Sequence, residues 1–283
     1  MRILITGANG QLGIALQESL RAHDVTALVH ADLDITDAAA VGVAISGARP
    51  EAVIHSAAWT DTAACERDPE RAMLVNAEGA RNVAEACREA SAAMVYVSSN
   101  EVFHGEKGTS YGEDDEPNPI NAYGHSKLAG EVAVREMLDL HYIVRTSWVY
   151  GQGRASFPEK ILQNAKEHGK LRVVTDEIAS PTWTNDLADA IARLIQTKEF
   201  GVYHLAGEGE CSRFVWAQEV LRLANVDAPV EATTQESLNL LVSKPVHSTL
   251  ANNRAAALGV KLRPWREALV DHMRLTSKAW ASA

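Results

Sequence analysis

The sequence has few of the features that would place the protein in a membrane, in an oxidising compartment or on nucleic acid. Its only cysteines, Cys65, Cys87 and Cys211, are an odd number without paired spacing, so we expect reduced structural thiols in a cytoplasmic protein. No apolar run approaches the ~20 residues needed to cross a bilayer, and the N-terminal run ends at Gly7, which argues against a secretory signal. A formal net charge of -10 disfavours nucleic acid and anionic membranes as general partners.

Internal repeats, low-complexity tracts and histidine or cysteine groups with metal-ligand spacing are also absent from the sequence, so we expect no metal site. The 283 residues are 46% hydrophobic and 23% charged, which is ordinary for a globular protein. This length suits one large domain or two fused lobes.

A short apolar strand over residues 2–6 leads into GANGQLG at residues 7–13 and then into an amphipathic helix reaching about residue 21. This is the context in which glycines let the backbone approach a pyrophosphate, while the helix N-terminus offers free N–H groups. The spacing Gly-x-x-Gly-x-x-Gly differs from the commonest dinucleotide fingerprint, and a merely tight β–α turn is the alternative interpretation.

The second predicted strand, residues 24–29, ends without the carboxylate that usually binds the adenosine ribose hydroxyls. His30 follows it, and the first acidic residue is Asp32. The missing carboxylate removes a reason to exclude a 2′-phosphate, and a charged His30 would favour one, so the pattern slightly favours NADPH. A solvated histidine is the alternative interpretation, because the histidine charge near neutral pH depends on its surroundings.

Strands alternate with helices through the first half of the chain. Further strands are predicted over residues 52–55, 93–98 and 142–146, with a helix over roughly residues 69–90. The alternation predicts a parallel, right-handed, doubly wound sheet. Small residues after the third strand and the serine pair Ser98 and Ser99 after the fourth lie at the edge where such sheets bind ligands. Ser99 would either bind a reacting oxygen or serve as a local turn or cap.

Tyr123 and Lys127 stand four residues apart in a segment predicted to be helical to about residue 140. Positions i and i+4 share one helix face, so the phenol and the ammonium should lie side by side. A nearby cation lowers the pKa of a phenol, which suits a tyrosine that exchanges protons with a substrate oxygen. The alternative interpretation is an exposed lysine beside a half-buried tyrosine.

The regular alternation of strands and helices ends after Gly151. Helices are predicted over residues 157–168, 186–196 and 213–223 and from about residue 264, with short strands over 171–174 and 203–205. We therefore expect an α/β protein, a Rossmann-type doubly wound parallel sheet with a smaller mixed α/β lobe. The NAD(P)-binding domain should comprise residues 1–150 and roughly 182–206. The substrate lobe should comprise roughly residues 151–181 and 207–283, with the ligand bound between the two.

Several longer strings accompany these motifs. They are AAWT at residues 57–60, VFHG at 102–105, NAYGHSKLAGE at 121–131, RTSWVYG at 145–151, SPT at 180–182 and PVHSTL at 245–250. Together with the glycine turn they resemble the dTDP-4-dehydrorhamnose reductase family of extended short-chain dehydrogenase/reductases, over nearly the whole chain. The RTSWVYG string is the most specific of them and the glycine string the least.

The resemblance implies reduction of the C4 keto group of a dTDP-linked 6-deoxyhexose by NADPH or NADH, foremost dTDP-4-dehydro-L-rhamnose to dTDP-L-rhamnose. Tyr123 would be the general acid, Lys127 would lower its pKa and hold the nicotinamide ribose, and Ser99 would hydrogen-bond the carbonyl oxygen. The residues expected to bind the cofactor are Gly7, Asn9, Gly10, Gln11, Leu12, Gly13, His30, Asp34, Ile35, Ala57, Ala58, Thr60, Tyr123 and Lys127. The residues expected to bind the sugar nucleotide are Asn100, Glu101, Val102, Phe103, Trp148, Pro181, Thr182, Trp183, Lys244 and Ser248. A homodimer is an additional expectation.

The sugar-facing positions depart from the family pattern. Asn100 and Glu101 stand where the family commonly has aspartate and tyrosine, and Ala63 also replaces an aspartate. Glu177 replaces a glutamine, and Lys244 replaces an arginine, which keeps the charge but loses the bidentate fork. The type of reaction is therefore predicted more firmly than the substrate.

Three alternatives stay open at this stage. Another sugar-nucleotide reductase would share the redox residues but bind a different keto sugar. Related 4,6-dehydratases carry a catalytic glutamate two residues after the serine or threonine, where Glu101 stands, although Asn100 cannot supply their acid. Relatives also serve as non-catalytic, NADP-binding regulatory subunits of methionine adenosyltransferase, which the retained Ser99, Tyr123 and Lys127 argue against.

Overall fold

The computed structural model describes residues 1–280, with side chains to residue 276, and is organised around one six-stranded sheet. The strands are β1 Arg2–Thr6, β2 Asp24–Leu28, β3 Ala52–His55, β4 Ala93–Ser99, β5 His141–Thr146, β6 Val149–Tyr150, β7 Leu171–Val174, β8 Ile178–Ala179, β9 Thr182–Trp183, β10 Gly201–His204, β11 Cys211–Ser212 and β12 Val230–Thr233. The helices are α1 Gln11–Ser19, α2 Ala38–Ala48, α3 Thr62–Arg67, α4 Pro69–Met73, α5 Gly79–Ala90, α6 Ala122–Met137, α7 Phe157–His168, α8 Thr184–Thr197, α9 Arg213–Ala224, α10 Gln235–Leu238, α11 Asn253–Ala257 and α12 Trp265–Trp280.

The main sheet has the order β10-β5-β4-β3-β1-β2, and every pairing in it is parallel. Its inner strands are buried on both faces, as the continuous apolar run of β1 requires: Ile3, Leu4 and Ile5 are at most 1% exposed. The strand order reverses at β1, which lies between β2 and β3. A crevice for ligands is expected at the carboxyl ends of these strands. The predicted α/β class and doubly wound parallel sheet are confirmed.

Two hydrophobic clusters cover the two faces of this sheet. One joins Leu16 of α1 to Ile191 of α8, and the other joins Val41 of α2 to Val83 of α5. Helix α2 is an addition to the sequence prediction, and it begins where the Asp37 side chain accepts a hydrogen bond from the Ala40 amide. The helix predicted over residues 69–90 consists of α4, a π-helical turn at Leu74–Glu78, and α5.

A third cluster forms the core of the second half of the chain. It packs Tyr150 and Trp216 against Trp265 at the start of α12, with apolar residues of α7 and α9 around them. Strands β7 and β12, β8 and β11, and β6 and β9 form three small two-stranded sheets beside it. Helix α8 packs against one face of the main sheet, and strand β10 is its edge strand, whereas β9 pairs with β6 in one of the small sheets. The division into two domains itself stays a prediction.

Three further findings concern membrane spans, metal ligands and cysteines. No helix in the described part of the chain is long and apolar enough to cross a membrane. Among the same residues, no group of three or more histidine, cysteine or acidic side chains could hold a metal ion. Cys65, Cys87 and Cys211 are all free and buried.

Candidate active site

A cleft of about 1150 Å³ opens at the carboxyl ends of the main-sheet strands, between this sheet and the second half of the chain. It brings together residues that are as far apart in sequence as the glycine turn and Lys244. The predicted site residues that line it are Gly7, Asn9, Gly10, Gln11, Leu12, Gly13, His30, Asp34, Ile35, Ala57, Ala58, Thr60, Ser99, Asn100, Glu101, Tyr123, Lys127, Trp148 and Lys244. The residues expected to bind the cofactor, the expected catalytic residues and four of those expected to bind the sugar nucleotide thus share one cavity.

Six residues predicted to bind substrate do not line this cleft: Val102, Phe103, Pro181, Thr182, Trp183 and Ser248. Val102 and Phe103 are fully buried in a small apolar cluster, and Thr182 and Trp183 form the buried strand β9. Ser248 is 2% exposed and accepts a hydrogen bond from Asn100 Nδ2 at 2.7 Å. In this structure these residues are buried behind the cleft wall, and their contact with the substrate stays a prediction.

The glycine turn brings the start of α1 directly against β1. Gly7 has a φ of +70°, and a Cβ added at Gly13 would lie only 2.3 Å from the Gly7 carbonyl oxygen. Gly10 caps α1 without a side-chain hydrogen bond, so the first N–H groups of α1 face the cleft without a competing acceptor from the cap. This geometry fits the pyrophosphate of a dinucleotide.

Two residues near the second strand differ in their availability to a ligand. His30 is exposed at the cleft wall just beyond β2. The Asp34 carboxylate also borders the cleft, but its Oδ1 atom accepts hydrogen bonds from the amide and the hydroxyl of Thr36 at 2.9 and 2.8 Å. These two bonds lower the pKa of Asp34, so this carboxylate is engaged in a local turn.

Tyr123 lies half-buried on the first turn of α6, which begins where the Asn121 side chain accepts a hydrogen bond from the Gly124 amide at 2.8 Å. Burial raises the pKa of Tyr123 well above its ordinary value, and the Glu101 carboxylate raises it further. The side chain of Ser99 acts in the opposite direction and lowers the pKa of Tyr123, while its Oγ atom accepts a hydrogen bond from the Glu101 amide at 3.1 Å. The net pKa is raised because loss of hydration outweighs the opposing effects of Ser99 and Arg154, and the lowering effect expected of Lys127 stays a prediction.

Lys127 is itself 1% exposed, and its ammonium lies 4.1 Å from the centre of the Tyr96 ring. Burial lowers the pKa of Lys127 to about 7, although the Glu131 carboxylate acts in the opposite direction. The alternative interpretation of an exposed lysine is thus wrong. A lysine near its midpoint at neutral pH can exchange a proton as well as donate hydrogen bonds.

The slot that holds Lys127 is built from residues the sequence analysis missed. Tyr96 donates a hydrogen bond to the Asn76 carbonyl at 3.1 Å, and Asn76 lies in the π-helical turn. The Asn76 side chain donates to Ser126 Oγ at 3.0 Å, one residue before Lys127. A Cβ on Gly130 would lie 2.2 Å from the Tyr96 hydroxyl, so only glycine lets α6 approach this closely.

A buried ion pair lies one turn beyond Lys127. Arg145 of β5 donates from Nε to Glu131 Oε1 at 2.9 Å and from Nη2 to Oε2 at 2.7 Å. Ser98 Oγ donates to the same carboxylate at 2.6 Å. The two charged side chains are 3% and 0% exposed. This pairing ties α6 to β4 and β5, and so fixes the helix that carries Tyr123 and Lys127.

Glu101 occupies the position where related dehydratases have a catalytic glutamate, and here it is engaged on every side. Lys244 Nζ lies 2.7 and 3.0 Å from its two carboxylate oxygens, and Asn121 Nδ2 donates to Oε2 at 2.8 Å. Asn100 donates its side-chain amide to Ser248 instead. Two departures from the family pattern, Glu101 and Lys244, are therefore partners of each other.

An arginine covers one face of Trp148 in the second half of the cleft. The Arg213 guanidinium carbon lies 3.6 Å from the centre of that ring, and Glu177 Oε1 accepts from its Nε and Nη2 atoms at 3.0 and 2.9 Å. Trp216 stacks on Trp148 at 5.5 Å between ring centres. Trp148 holds a φ of +42°, an uncommon backbone conformation for a bulky residue.

The cleft is also richer in cations than the net charge suggests. Besides Lys127 and Lys244, the residues Arg71, Arg154, Lys160 and Arg213 line it. None of these four belongs to a motif, so the sequence offered no signal for them. Such local positive charge suits anionic ligands in an acidic protein.

Comparison with known proteins agrees with this geometry. The family model described as RmlD substrate binding domain matches residues 1–277. A dTDP-4-dehydrorhamnose reductase from Streptomyces griseus is 41% identical over 280 residues, covering 95% of this chain and 92% of the relative. A dTDP-4-keto-6-deoxy-D-glucose reductase from Streptomyces niveus is 36% identical, covering 95% and 96%. A crystal structure of dTDP-4-dehydrorhamnose reductase from Bacillus anthracis in complex with NADP superimposes with a TM-score of 0.94 at 37% identity, covering 97% and 99%.

Proposed function

Because the chain belongs to the RmlD substrate binding domain family, we propose that it is an NAD(P)H-dependent reductase of the C4 keto group of a dTDP-linked 6-deoxyhexose. The proposed substrate is dTDP-4-dehydro-L-rhamnose and the product dTDP-L-rhamnose. The observation that carries this proposal is the shared cleft, in which Ser99, Tyr123 and Lys127 stand with the uncapped start of α1. Family relatives named as reductases of more than one dTDP-keto sugar support the reaction class.

In this mechanism Tyr123 is the proton donor. Its raised pKa keeps the phenol protonated at neutral pH, which is the form that can protonate an alkoxide at C4. Ser99, which lines the same cleft as Tyr123, would hold the carbonyl oxygen beside the phenol. Lys127 would hold the nicotinamide ribose and return a proton towards Tyr123. Reduced nicotinamide supplies the hydride when bound.

The glycine turn with Gln11 and Leu12 would hold the cofactor pyrophosphate. Ile35 and Asp34 would lie at the adenine, and Ala57, Ala58 and Thr60 along the nicotinamide half. The exposed His30, in a place without an available ribose-binding carboxylate, slightly favours NADPH. On the sugar side, Asn100, Trp148 and the Glu101–Lys244 pair would form the wall around the substrate.

The geometry disfavours the dehydratase. A catalytic base must reach a substrate proton, but Glu101 is bound by Lys244 and Asn121 on both of its oxygens. The two activities separate cleanly by cofactor use. A dehydratase recycles bound cofactor and would convert dTDP-glucose without net oxidation of NADPH, whereas the reductase consumes one NADPH for each keto sugar reduced.

The substrate is tested by a panel of dTDP-4-keto sugars assayed with NADPH and NADH in parallel. We expect the L-rhamnose precursor to give the highest kcat/KM, and NADPH to be preferred modestly over NADH. A higher kcat/KM for dTDP-4-keto-6-deoxy-D-glucose would reassign the substrate within the same reaction class. NADPH binding without oxidation by any sugar would favour the regulatory role instead.

The assembly and compartment stay predictions. The three buried, free cysteines support a reducing compartment such as the cytoplasm. A homodimer is the expected assembly, with no nucleic acid as partner.

A further inference from the structure

Apart from the buried Lys127, the lysines and arginines of the cleft fall into two groups. Arg213 is paired with Glu177, and Lys244 with Glu101. In the part of the chain that the structure describes, no carboxylate lies within 4.0 Å of Arg71, Arg154 or Lys160. The proposed dinucleotide and nucleotide sugar each bring a diphosphate into the cleft. The three cations without a carboxylate partner are candidates for binding these diphosphates, because no ion pair among the described residues neutralises their charge.

Of these three cations, Arg154 is the one whose hydrogen bonds connect the two sides of the cleft. It lies on the loop between β6 and α7, in the second half of the chain. Gln11 Nε2 donates to the carbonyl oxygens of Gly151 and Arg154, both at 3.0 Å. The Arg154 guanidinium donates from Nη2 to Thr60 Oγ1 at 2.9 Å. The loop is thus held to the glycine turn by its backbone and to the segment after β3 by its side chain.

We propose that Arg154 is a diphosphate-binding residue that closes the cleft over the pyrophosphate of the bound dinucleotide. Gln11 is the first residue of α1, where that pyrophosphate is expected, and the same side chain holds the Arg154 backbone. One donor of the guanidinium is used by Thr60, and the remaining donors can form the planar fork that matches phosphate oxygens. This inference rests on the proposed function for the identity of the dinucleotide.

A second source of the same chemistry is the diphosphate of the nucleotide sugar. Arg154 lines the same cleft as Tyr123, so it stands near both ligands. The position beside Gln11 favours the dinucleotide, and the experiment separates the two sources by using NADPH and dTDP as individual probes.

The test measures Kd for NADPH and for dTDP by calorimetry with Arg154→Ala, Arg154→Lys and the wild type. Arg135→Ala is the matched control, because Arg135 is an exposed residue of α6 outside the cleft and its loss changes the net charge equally. A charge-assisted hydrogen bond contributes enough that we expect Kd for NADPH to rise roughly 10-fold or more in Arg154→Ala. Arg154→Lys should lie between, since the charge remains and the fork is lost. Kd for dTDP should change less than about twofold, and Arg135→Ala should bind both as the wild type does.

The dependence of Kd on salt gives a readout that a structural role would not move. The NADPH affinity of Arg154→Ala should fall less steeply between 50 and 200 mM salt than that of the wild type, while its melting temperature stays unchanged. Unchanged NADPH binding in Arg154→Ala would overturn the proposal, and a loss confined to dTDP would move Arg154 to the nucleotide sugar. Binding requires no turnover, so these results stand apart from those of the sugar panel. If the wild type reduces the keto sugar normally while Arg154→Ala binds NADPH as well as the wild type does, the role of Arg154 is overturned and the proposed function is not.

Discussion

Replacing Glu131 by alanine should destabilise the protein far more than removing a surface charge. The carboxylate accepts three hydrogen bonds, two from Arg145 and one from Ser98, and both charged side chains are at most 3% exposed. In Glu131→Ala the guanidinium would stay buried. Its remaining neighbours would be His204 Nε2, 3.5 Å from Nη1, and the ring of Phe103, 5.1 Å from Cζ. Neither carries a compensating negative charge.

The magnitude follows from this burial. Removing one partner of a buried, hydrogen-bonded ion pair costs about 3–5 kcal/mol, because the other charge remains without hydration. That is a large part of the free energy of unfolding of a native protein, which is typically about 5–15 kcal/mol. For a chain of this size, about 2–4 °C of melting temperature is lost per kcal/mol, so a fall on the order of 10 °C is expected.

The assay is urea unfolding followed by circular dichroism, with Glu18→Ala as the control. Glu18 pairs with Arg21 on the surface, where the side chains are 73% and 78% exposed, and its loss should cost less than ~1 kcal/mol. The double variant Glu131→Leu with Arg145→Met removes both charges and should recover most of the lost stability. A loss below ~1 kcal/mol in Glu131→Ala, or no recovery in the double variant, would refute this account of the pair.

Two further predictions concern stability. Burial lowers the pKa of His55 and of His204 to about 3, below the usual value of 6.5. The unfolded chain therefore binds more protons than the folded protein between pH 6.5 and 3. The free energy of unfolding should fall as the pH drops through this window, by up to about 1.4 kcal/mol per pH unit for each histidine. The slope should be shallower in His204→Asn. Gly130→Ala should lower the free energy of unfolding, measured by chemical denaturation, by at least about 1–3 kcal/mol, because the added Cβ meets the Tyr96 hydroxyl and the Asn76 carbonyl. The control Gly42→Ala, whose Cβ has nothing within 4 Å, should stabilise the protein by about 0.5–1 kcal/mol. Equal effects of the two substitutions would contradict the packing argument.

Hydrophobic pattern predicted the elements that bury a regular face. Strands β1 and β3 and helix α7 have the bounds expected from sequence, because their apolar runs end at clear turn residues. Helix α2, rich in alanine and with two glycines, lacks such a pattern, and its start is marked only by Asp37. The two-residue strands such as β6 and β9 pair with each other across 31 intervening residues, from Tyr150 to Thr182, so local sequence cannot reveal them.

The candidate site shows the same division. Tyr123, Lys127 and the glycine turn carry recognisable spacing, so sequence brought them to notice. Arg154 reaches the cleft only through the tertiary fold. The burial of Phe103 could not be predicted either, because a motif string indicates which residues are close to a site but not which way each side chain faces. The net rise in the pKa of Tyr123 could not be predicted, because i, i+4 spacing contains no information about burial.

The most direct test of the central claim follows NADPH oxidation with dTDP-4-dehydro-L-rhamnose by the wild type and by Tyr123→Phe. The wild type should oxidise one NADPH for each sugar reduced. Tyr123→Phe should bind NADPH nearly as well but turn over roughly 10²-fold or more slowly, because only the proton donor has been removed. A variant with near-normal turnover would contradict the assignment of Tyr123 as the general acid, and a wild type that binds NADPH but reduces no keto sugar would contradict the reductase itself.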